Sequence, residues 1–248
     1  MFEPNVQRAL AAIRPDDVVL DIGGWACPFN RANYVLDAQP YETRGYYKKF
    51  GGLAFQAGEK EYFSRDTWIV RDICDHAPFP FADKSIDWVI CSHTLEDLRD
   101  PLWVCHEMIR IAKRGYIEVP SRVAESSRGW EDPRIAGLTH HRWLIDIDAE
   151  RQHIKFMMKF HQIHTHWRLS LPAQYLRTLP VEATVQWLFW DDTFSYEEVT
   201  IHGIPEQQVE LARFVQAVHP YPAWRLGLAS LARRAAGVRA RVAARLRG

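Results

Sequence analysis

Short apolar runs, each closed by turn residues, alternate with helical patterns through the first half of the chain. Runs of this length and composition predict buried strands. The predicted strands cover residues 18–22, 33–37, 67–72, 86–92 and 116–119. Strands that alternate with helices form parallel sheets with helices on both faces. The pattern therefore predicts an α/β fold with a doubly wound, mostly parallel sheet.

The helix between the fourth and fifth strands is marked at both ends. Asp100 can cap its first turn, and Pro101 suits the first helical position. Lys113 and Arg114 favour the negative carbonyl end of a helix, and Gly115 suits the position just beyond it. The sequence therefore predicts a helix that begins at Pro101 and ends just before Gly115.

The second half of the chain is rich in Trp and His. Residues 186–190 and 194–201 predict an antiparallel hairpin, and residues 205–218 predict a helix. We expect a core, a Trp/His-rich elaboration packed on the substrate side of that core, and an Arg/Ala-rich amphipathic tail, at residues 1–125, 126–222 and 223–248.

The distribution of charge bears on the class of partner. The chain has 31 Lys and Arg against 31 Asp and Glu, so its formal net charge is zero. Eight arginines follow Glu210, beyond which no acidic residue occurs, so residues 1–210 carry eight more acidic than basic side chains. Proteins that bind nucleic acid normally show a basic face. The acidic body argues against nucleic acid as a partner.

The cysteines and the apolar segments bear on the compartment. Cys27, Cys74, Cys91 and Cys105 stand far apart and form no CxxC pair, which argues against a zinc ribbon or a disulfide scaffold. We find neither the apolar run of a signal peptide nor that of a membrane-spanning helix. These features predict a cytoplasmic protein with reduced thiols.

Acidic side chains close the first three predicted strands, at Asp21, Asp37 and Asp72. In an open α/β sheet, ligands bind beyond the carboxyl ends of the strands. A carboxylate such as that of Asp37 can accept two hydrogen bonds from a ribose diol, and the Gly23-Gly24 pair lets the backbone approach a ligand closely. The alternative is a tight turn with solvated acids.

The segment from Arg71 to Trp103 strengthens the ligand-binding interpretation. It contains, in order, an acid after the third strand, Pro78-Phe-Pro-Phe, Ser85-Ile-Asp, an apolar strand, Leu95-Glu-Asp and Asp100-Pro-Leu. This ordered combination resembles the class I S-adenosylmethionine-dependent methyltransferases, in the subgroup with a small-molecule type methyltransferase domain. The resemblance extends over residues 15–125 and implies a Rossmann-like methyltransferase fold.

The resemblance also implies a cofactor, S-adenosylmethionine, and a set of residues that hold it. The implied residues are Asp21, Gly23 and Gly24 at the methionine moiety, Asp37 at the ribose hydroxyls, Asp72 and Ile73 at the adenine, and Ser92 and His93 beside the reactive centre.

The chain departs from the family pattern at two places. Only nine residues separate Gly23 from Asn33, which is too few for a crossover helix, so we expect a shortened loop. The family's common Leu-Glu-His is Leu-Glu-Asp here. Asp97 therefore stands where the family has a histidine, and the role of that histidine does not carry over.

Two groups of histidines are candidates for chemistry. His140 and His141 follow the last strand of the resemblance, where an acceptor would enter, so they are the candidate catalytic bases; ordinary hydrogen-bonded loop histidines are the alternative. His161, His164 and His166 would suit zinc, but no single conformation presents all three. We therefore predict no metal site and interpret that run as a polar surface or a substrate wall.

The predicted function is S-adenosylmethionine-dependent methyl transfer to a small-molecule or sugar acceptor. One alternative is a non-catalytic cofactor-binding or regulatory module on the same fold. An NAD(P)-dependent oxidoreductase fits less well, because Gly-x-Gly-x-x-Gly does not follow the first strand.

The tail at 223–248 has the pattern of an amphipathic helix with a cationic side. Its functional interpretation is reversible, peripheral docking on an anionic membrane. A helix lying on the acidic body and a solvated tail are the alternatives.

Overall fold

The computed structural model describes residues 1–222. The described helices are α1 (Glu3–Ala12), α2 (Pro101–Ile111), α3 (Arg122–Glu125), α4 (Ala173–Leu176) and α5 (Ile204–Val218). The described strands are β1 (Val19–Ile22), β2 (Tyr34–Asp37), β3 (Trp68–Val70), β4 (Ile86–Ser92), β5 (Ala112–Pro120), β6 (Trp143–Asp148), β7 (His153–Met158), β8 (Val185–Asp191) and β9 (Ser195–Glu198).

Within the described chain, six strands form the main sheet in the order β3-β2-β1-β4-β5-β8. The first five run parallel, and β8 pairs antiparallel with β5. All five predicted strands are present. β1 is buried along its whole length, which explains its unbroken apolar run. The predicted α/β fold with a mostly parallel sheet is confirmed.

Helices cover both faces of this sheet, because successive residues of a strand point to opposite sides. Leu20 of β1 joins Val104 and Met108 of α2 in one buried cluster. Its neighbour Val19 joins Val6 of α1 in a second cluster. Burial of one such side chain contributes about 1.5–3 kcal/mol, so both helices are fixed to the sheet by apolar packing.

Residues 23–33, all of them described, connect β1 to β2 without a helix, as the short spacing predicted. Phe29 is 1% exposed and packs in the cluster that contains Val19. The loop is tied to a later segment: Gln56 donates its backbone N–H to the carbonyl of Pro28 at 2.9 Å, and Asn30 donates to the carbonyl of Gln56 at 2.9 Å. Phe29 thus fills space on the face that a crossover helix would otherwise cover.

The start of α2 agrees with the sequence prediction, but its end does not. Asp100 accepts a hydrogen bond from the N–H of Trp103 at 3.0 Å and caps the helix. The helix ends at Ile111, and Gly115 lies inside β5. A Cβ at Gly115 would lie 2.6 Å from the carbonyl oxygen of Val89 and 2.8 Å from the indole nitrogen of Trp190. Gly115 therefore serves close packing in the sheet and not the end of the helix.

The prediction of an antiparallel hairpin from residues 186–190 and 194–201 is wrong. β8 pairs with β5 of the main sheet, whereas β9 pairs parallel with β7 in a second sheet of order β6-β7-β9. Trp190 of β8 is 3% exposed and is held in the core of the main sheet. Asp192 then adopts a left-handed conformation, with φ at 62°. Burial on β5 thus outweighs local pairing, and the chain turns away to the second sheet.

The predicted helix at 205–218 is confirmed as α5. Across residues 1–222, no helix is both long and apolar enough to span a membrane. The predicted tail at 223–248 lies outside the described residues. The predicted boundaries between core and elaboration remain a prediction, and β8 shows that the second half contributes a strand to the main sheet.

Candidate functional site

The carboxyl ends of β1, β2 and β4 lie side by side at one edge of the main sheet. The register pairs Asp21 of β1 with Val35 of β2 and with Ile90 of β4. Three of the predicted cofactor residues, Asp21, Asp37 and His93, therefore lie at the same edge. We call this group, together with Ser92, the cofactor edge.

Asp21 is fixed by the loop that follows it. Its carboxylate is 3% exposed and accepts a hydrogen bond from the N–H of Phe29 at 2.8 Å. Burial raises the pKa of Asp21 to about 7, although this hydrogen bond acts in the opposite direction. A buried acid poised near neutral pH at the end of a strand is typical of a ligand-binding site.

Gly23 and Gly24 are required by close contacts at the same turn. Gly23 has a φ of 76°, and a Cβ there would lie 2.2 Å from the hydroxyl of Thr94. A Cβ at Gly24 would lie 2.1 Å from the carboxylate of Asp21. The structure thus gives both glycines a packing role, while their contact with a cofactor remains a prediction.

Asp37 is 8% exposed and is held by backbone donors. It accepts hydrogen bonds from the N–H of Gln39 at 2.8 Å and from the N–H of Trp25 at 3.1 Å. Burial raises the pKa of Asp37. A carboxylate has about four acceptor positions, so these two bonds leave capacity for a diol.

The predicted adenine residues have other partners in this structure. Asp72 is half-exposed and forms an ion pair with Arg99 at 2.7 Å. The N–H of Cys74 and the guanidinium of Arg99 lower the pKa of Asp72. Ile73 is 6% exposed and belongs to the core. Their predicted contact with adenine is untested.

His93 follows β4 in a left-handed conformation, with φ at 53°. Its Nε2 lies 3.0 Å from the buried carboxylate of Glu118, and its Nδ1 lies 3.5 Å from that of Glu96. Burial alone would lower the pKa of His93, but these two carboxylates outweigh it and raise the pKa to about 9. The ring is therefore charged at neutral pH. Ser92, the preceding residue, has a buried hydroxyl with no hydrogen-bond partner among residues 1–222.

Glu118 is fully buried near the end of β5, and its carboxylate has several polar partners. It contacts His93, accepts a hydrogen bond from the N–H of Phe2 at 2.9 Å and accepts another from the hydroxyl of Tyr116. Burial would raise its pKa, but its partners lower the pKa to about 2. Glu118 is therefore a permanent anion that holds the His93 ring in place.

A second polar group lies beyond β4 and β5 and is assembled from four segments. We call it the acceptor cluster; its members are Asp97, Glu125, His140, His141 and Lys159. Within it, Glu125 of α3 lies 2.8 Å from Nδ1 of His141 and accepts a hydrogen bond from Lys159 at 2.7 Å. The side chains of Glu125, His141 and Lys159 are each 3–4% exposed.

The acceptor cluster is anchored to the loop after β4. The carbonyl oxygen of Glu96 accepts hydrogen bonds from the N–H of Arg142 at 2.7 Å and of Trp143 at 3.3 Å. These bonds hold the segment that carries His140 and His141 against the segment that carries Asp97. The two predicted catalytic histidines are therefore brought together with the residue that departs from the family motif.

The histidine run at 161–166 has a different structural role. His161–His164 forms a short 3₁₀ helix. Nδ1 of His164 accepts a hydrogen bond from the N–H of Ala136 at 3.1 Å. Burial lowers the pKa of His164, so its ring is neutral and supports the neighbouring loop.

Sequence reasoning did not select Glu96, Glu118, Glu125 or Lys159. Glu118 and Glu96 both stand in motifs that carry the resemblance, so their position was a usable signal. Glu125 and Lys159 are 34 residues apart, and no local pattern marks them. Only the packing of α3 against the segments around β6 and β7 reveals their partnership.

Residues 53–117 match the family model for a methyltransferase domain. The match confirms the resemblance to methyltransferases over these residues. It includes β3, β4, α2 and part of β5, and it supports the prediction of S-adenosylmethionine as the cofactor. A search of curated proteins found no match.

Several solved methyltransferase structures are similar to part of the chain. A SAM-dependent methyltransferase from Aquifex aeolicus is 18% identical, over 48% of this chain and 65% of its own, with a TM-score of 0.30. One from Mesorhizobium loti is 17% identical, over 61% of this chain and 62% of its own, with a TM-score of 0.31. A third similar structure is the complex between the Haloferax volcanii Trm112 methyltransferase activator and a methyltransferase. The matched chain is 23% identical, over 46% of this chain and 50% of its own, with a TM-score of 0.33. The chain thus spans only half to two thirds of these relatives.

Proposed function

We propose that this protein transfers a methyl group from S-adenosylmethionine to a small-molecule or sugar acceptor. The observation that carries the proposal is the cofactor edge, where Asp21, Asp37 and His93 converge at the ends of neighbouring parallel strands. The methyltransferase-domain match over residues 53–117 supports the same reading.

The charges of the cofactor edge suit the two ends of the cofactor. Asp37, with its unused acceptor positions, would accept hydrogen bonds from the ribose hydroxyls. The ionised carboxylate of Asp21 would attract the positively charged amino group of the methionine moiety. His93, charged at neutral pH because its pKa is about 9, would donate to the methionine carboxylate. Each such charged hydrogen bond is worth about 1.5–3 kcal/mol.

The acceptor would lie on the side of the acceptor cluster. A sulfonium methyl is already activated, so the protein mainly aligns the acceptor with the bond that breaks and excludes water. Such alignment can supply about 7–11 kcal/mol. We propose that His140 and His141 line this side. Their Nε2 atoms both face Asp97, and a neutral Nε2 can accept a proton from the acceptor.

A non-catalytic cofactor-binding module is the second candidate. It is favoured by the state of His141, one of the two predicted catalytic bases. Burial would lower the pKa of His141, but Glu125 outweighs it and raises the pKa, which favours the protonated ring that cannot accept a proton. The two candidates differ in turnover and agree in cofactor binding.

The test is to incubate the full chain with S-adenosylmethionine and a panel of sugars and small hydroxyl or amine acceptors, and to measure S-adenosylhomocysteine. We expect acceptor-dependent formation that Asp37→Ala reduces at least tenfold. Cofactor binding without turnover on any acceptor would favour the non-catalytic module. Absence of cofactor binding would contradict both candidates.

A further inference from the structure

Two histidine rings point the same nitrogen at one carboxylate oxygen. Oδ1 of Asp97 lies 3.9 Å from Nε2 of His141 and 4.0 Å from Nε2 of His140. One possible ligand atom from each of these residues lies within 4.8 Å of the other two. These distances are too long for direct hydrogen bonds. The three atoms therefore surround a gap instead of bonding to one another.

The opposite nitrogen of each ring faces a different carboxylate. Nδ1 of His141 lies 2.8 Å from Glu125, and Nδ1 of His140 lies 3.8 Å from Glu131. Histidines that bind metals use this arrangement, because a carboxylate on one ring nitrogen orients the ring and makes the other nitrogen a better ligand. His141 has this arrangement in full. The 3.8 Å between His140 and Glu131 is too long for a hydrogen bond, so Glu131 is a nearby charge that the His140 ring faces.

The orienting carboxylates are themselves held in position. Glu125 accepts a hydrogen bond from Lys159, whose ammonium also donates to the carbonyl oxygen of Leu138 at 2.7 Å. Glu131 accepts a hydrogen bond from the N–H of Thr139 at 3.1 Å. Both supporting groups therefore have fixed partners before any ion arrives, which lowers the cost of ordering the site.

A further buried carboxylate, that of Glu96, lies close to the gap. Glu96 is 1% exposed, and neither of its carboxylate oxygens has a hydrogen-bond partner among residues 1–222; its nearest cationic group is His93 at 3.5 Å. Glu96 directly precedes Asp97 in the chain, and its negative charge also acts on His141. Glu96 therefore has an ion pair with His93 but no hydrogen bond, and a cation in the gap would stabilise this buried negative charge further.

We propose that Asp97, His140 and His141 bind one divalent transition-metal cation, of which zinc is the ion that best suits two imidazoles and one carboxylate. Zinc binds such ligands at about 2.0–2.2 Å and keeps an open position when three protein groups hold it. Tetrahedral binding at these lengths requires ligand atoms about 3.3–3.5 Å apart, so Asp97 and each histidine must approach one another by about half an ångström. The side chains of His140 and Asp97 are 59% and 41% exposed and can make that adjustment.

The proposal revises the sequence-based expectation of no metal site. The sequence directed attention to the run at 161–166, whereas the ligand set uses Asp97, which lies more than 40 residues from the two histidines. Where the proposed function also holds, the open position would face the acceptor and would polarise a hydroxyl group there. The metal site itself does not depend on methyl transfer.

The experiment is equilibrium dialysis of the full chain against zinc, after treatment with a chelator and without S-adenosylmethionine. A parallel titration with cobalt reports ligand geometry by visible absorption. The variants are Asp97→Asn and His140→Ala, which change exposed side chains and therefore spare the fold. His161→Ala is the matched control, because it removes an exposed histidine from the other run.

We expect one zinc per wild-type chain, at least tenfold weaker binding for Asp97→Asn and for His140→Ala, and unchanged binding for His161→Ala. We also expect the cobalt spectrum of a site with nitrogen and oxygen ligands, and its loss in the first two variants. Absence of stoichiometric zinc would overturn the proposal. Binding that survives both Asp97→Asn and His140→Ala would also overturn it, because the ion would then lie elsewhere.

Discussion

The cofactor edge and the acceptor cluster both contain buried carboxylates, but they are built in different ways. At the cofactor edge, Asp21 and Asp37 are satisfied by backbone N–H groups no more than twelve residues away. In the acceptor cluster, Glu125 is satisfied by side chains 16 and 34 residues away. The first site depends on local turns at strand ends. The second depends on how α3, β6 and β7 pack together, so mutations should affect the two sites differently.

The largest expected effect is in the acceptor cluster. Lys159→Met should lower the free energy of unfolding by about 3–5 kcal/mol, because it removes the ammonium group from the buried carboxylate of Glu125 and leaves His141 as the remaining partner. Lys155→Met is the matched control. Lys155 pairs with Glu197, and both side chains are half-exposed, so its loss should cost about 1 kcal/mol or less. Urea unfolding of both variants measures the two losses. Equal losses of unfolding free energy would show that the buried pair of Lys159 and Glu125 contributes no more than the half-exposed pair of Lys155 and Glu197.

A smaller effect is expected at the turn of the cofactor edge. Gly23→Ala should cost about 2–4 kcal/mol, because alanine must adopt a left-handed conformation and clash with Thr94. Gly51→Ala separates the two causes. Gly51 has a φ of 77°, but a Cβ there meets nothing within 4 Å, so only the conformational cost of about 1–2 kcal/mol remains. Thermal unfolding that ranks the two variants equally would contradict the close contact with Thr94.

The smallest expected effect is a pH dependence carried by His93. Its pKa in the fold, about 9, lies above the value of about 6.5 for an unfolded histidine. Its contribution to stability is therefore complete below pH 6.5 and is lost as the pH rises towards 9. The ring is 38% exposed, so solvent screening limits the contribution to about 1 kcal/mol.

His93→Gln tests that dependence. Between pH 6 and pH 9, the wild type should lose up to about 1 kcal/mol more stability than His93→Gln, as measured by urea unfolding. Identical pH profiles for the two proteins would mean that Glu118 and Glu96 do not hold the ring in its charged form.

The contrast between the two sites also explains what the sequence could predict. Asp21 and Asp37 were found because parallel strands bring their carboxyl ends to one edge, whatever the loops do. The missing crossover helix was predicted from the distance between Gly23 and Asn33. These inferences needed only strand positions and chain length, whereas His93 was implied by the resemblance to the methyltransferases.

The errors have a common physical cause. Gly115 looked like the end of a helix but lies in β5, because Trp190 packs where a side chain would be. The segment after Trp190 looked like the second strand of a hairpin but joins β7. In each case a tertiary contact outweighed a local preference. Glu125 and Lys159 were missed for the same reason, since their partnership exists only after α3 and β7 have packed.

Calorimetric titration of S-adenosylhomocysteine into the wild type, Asp37→Ala and Asp87→Ala tests the central claim most directly. Asp87 is the matched control, because it also accepts a backbone N–H, that of Val18 at 2.8 Å, but near the amino end of β4. The account predicts binding by the wild type, at least tenfold weaker binding by Asp37→Ala, and near wild-type affinity for Asp87→Ala, since a lost charged hydrogen bond costs about 1.5–3 kcal/mol. No binding by the wild type, or equal affinity of wild type and Asp37→Ala, would contradict the assignment of the cofactor edge.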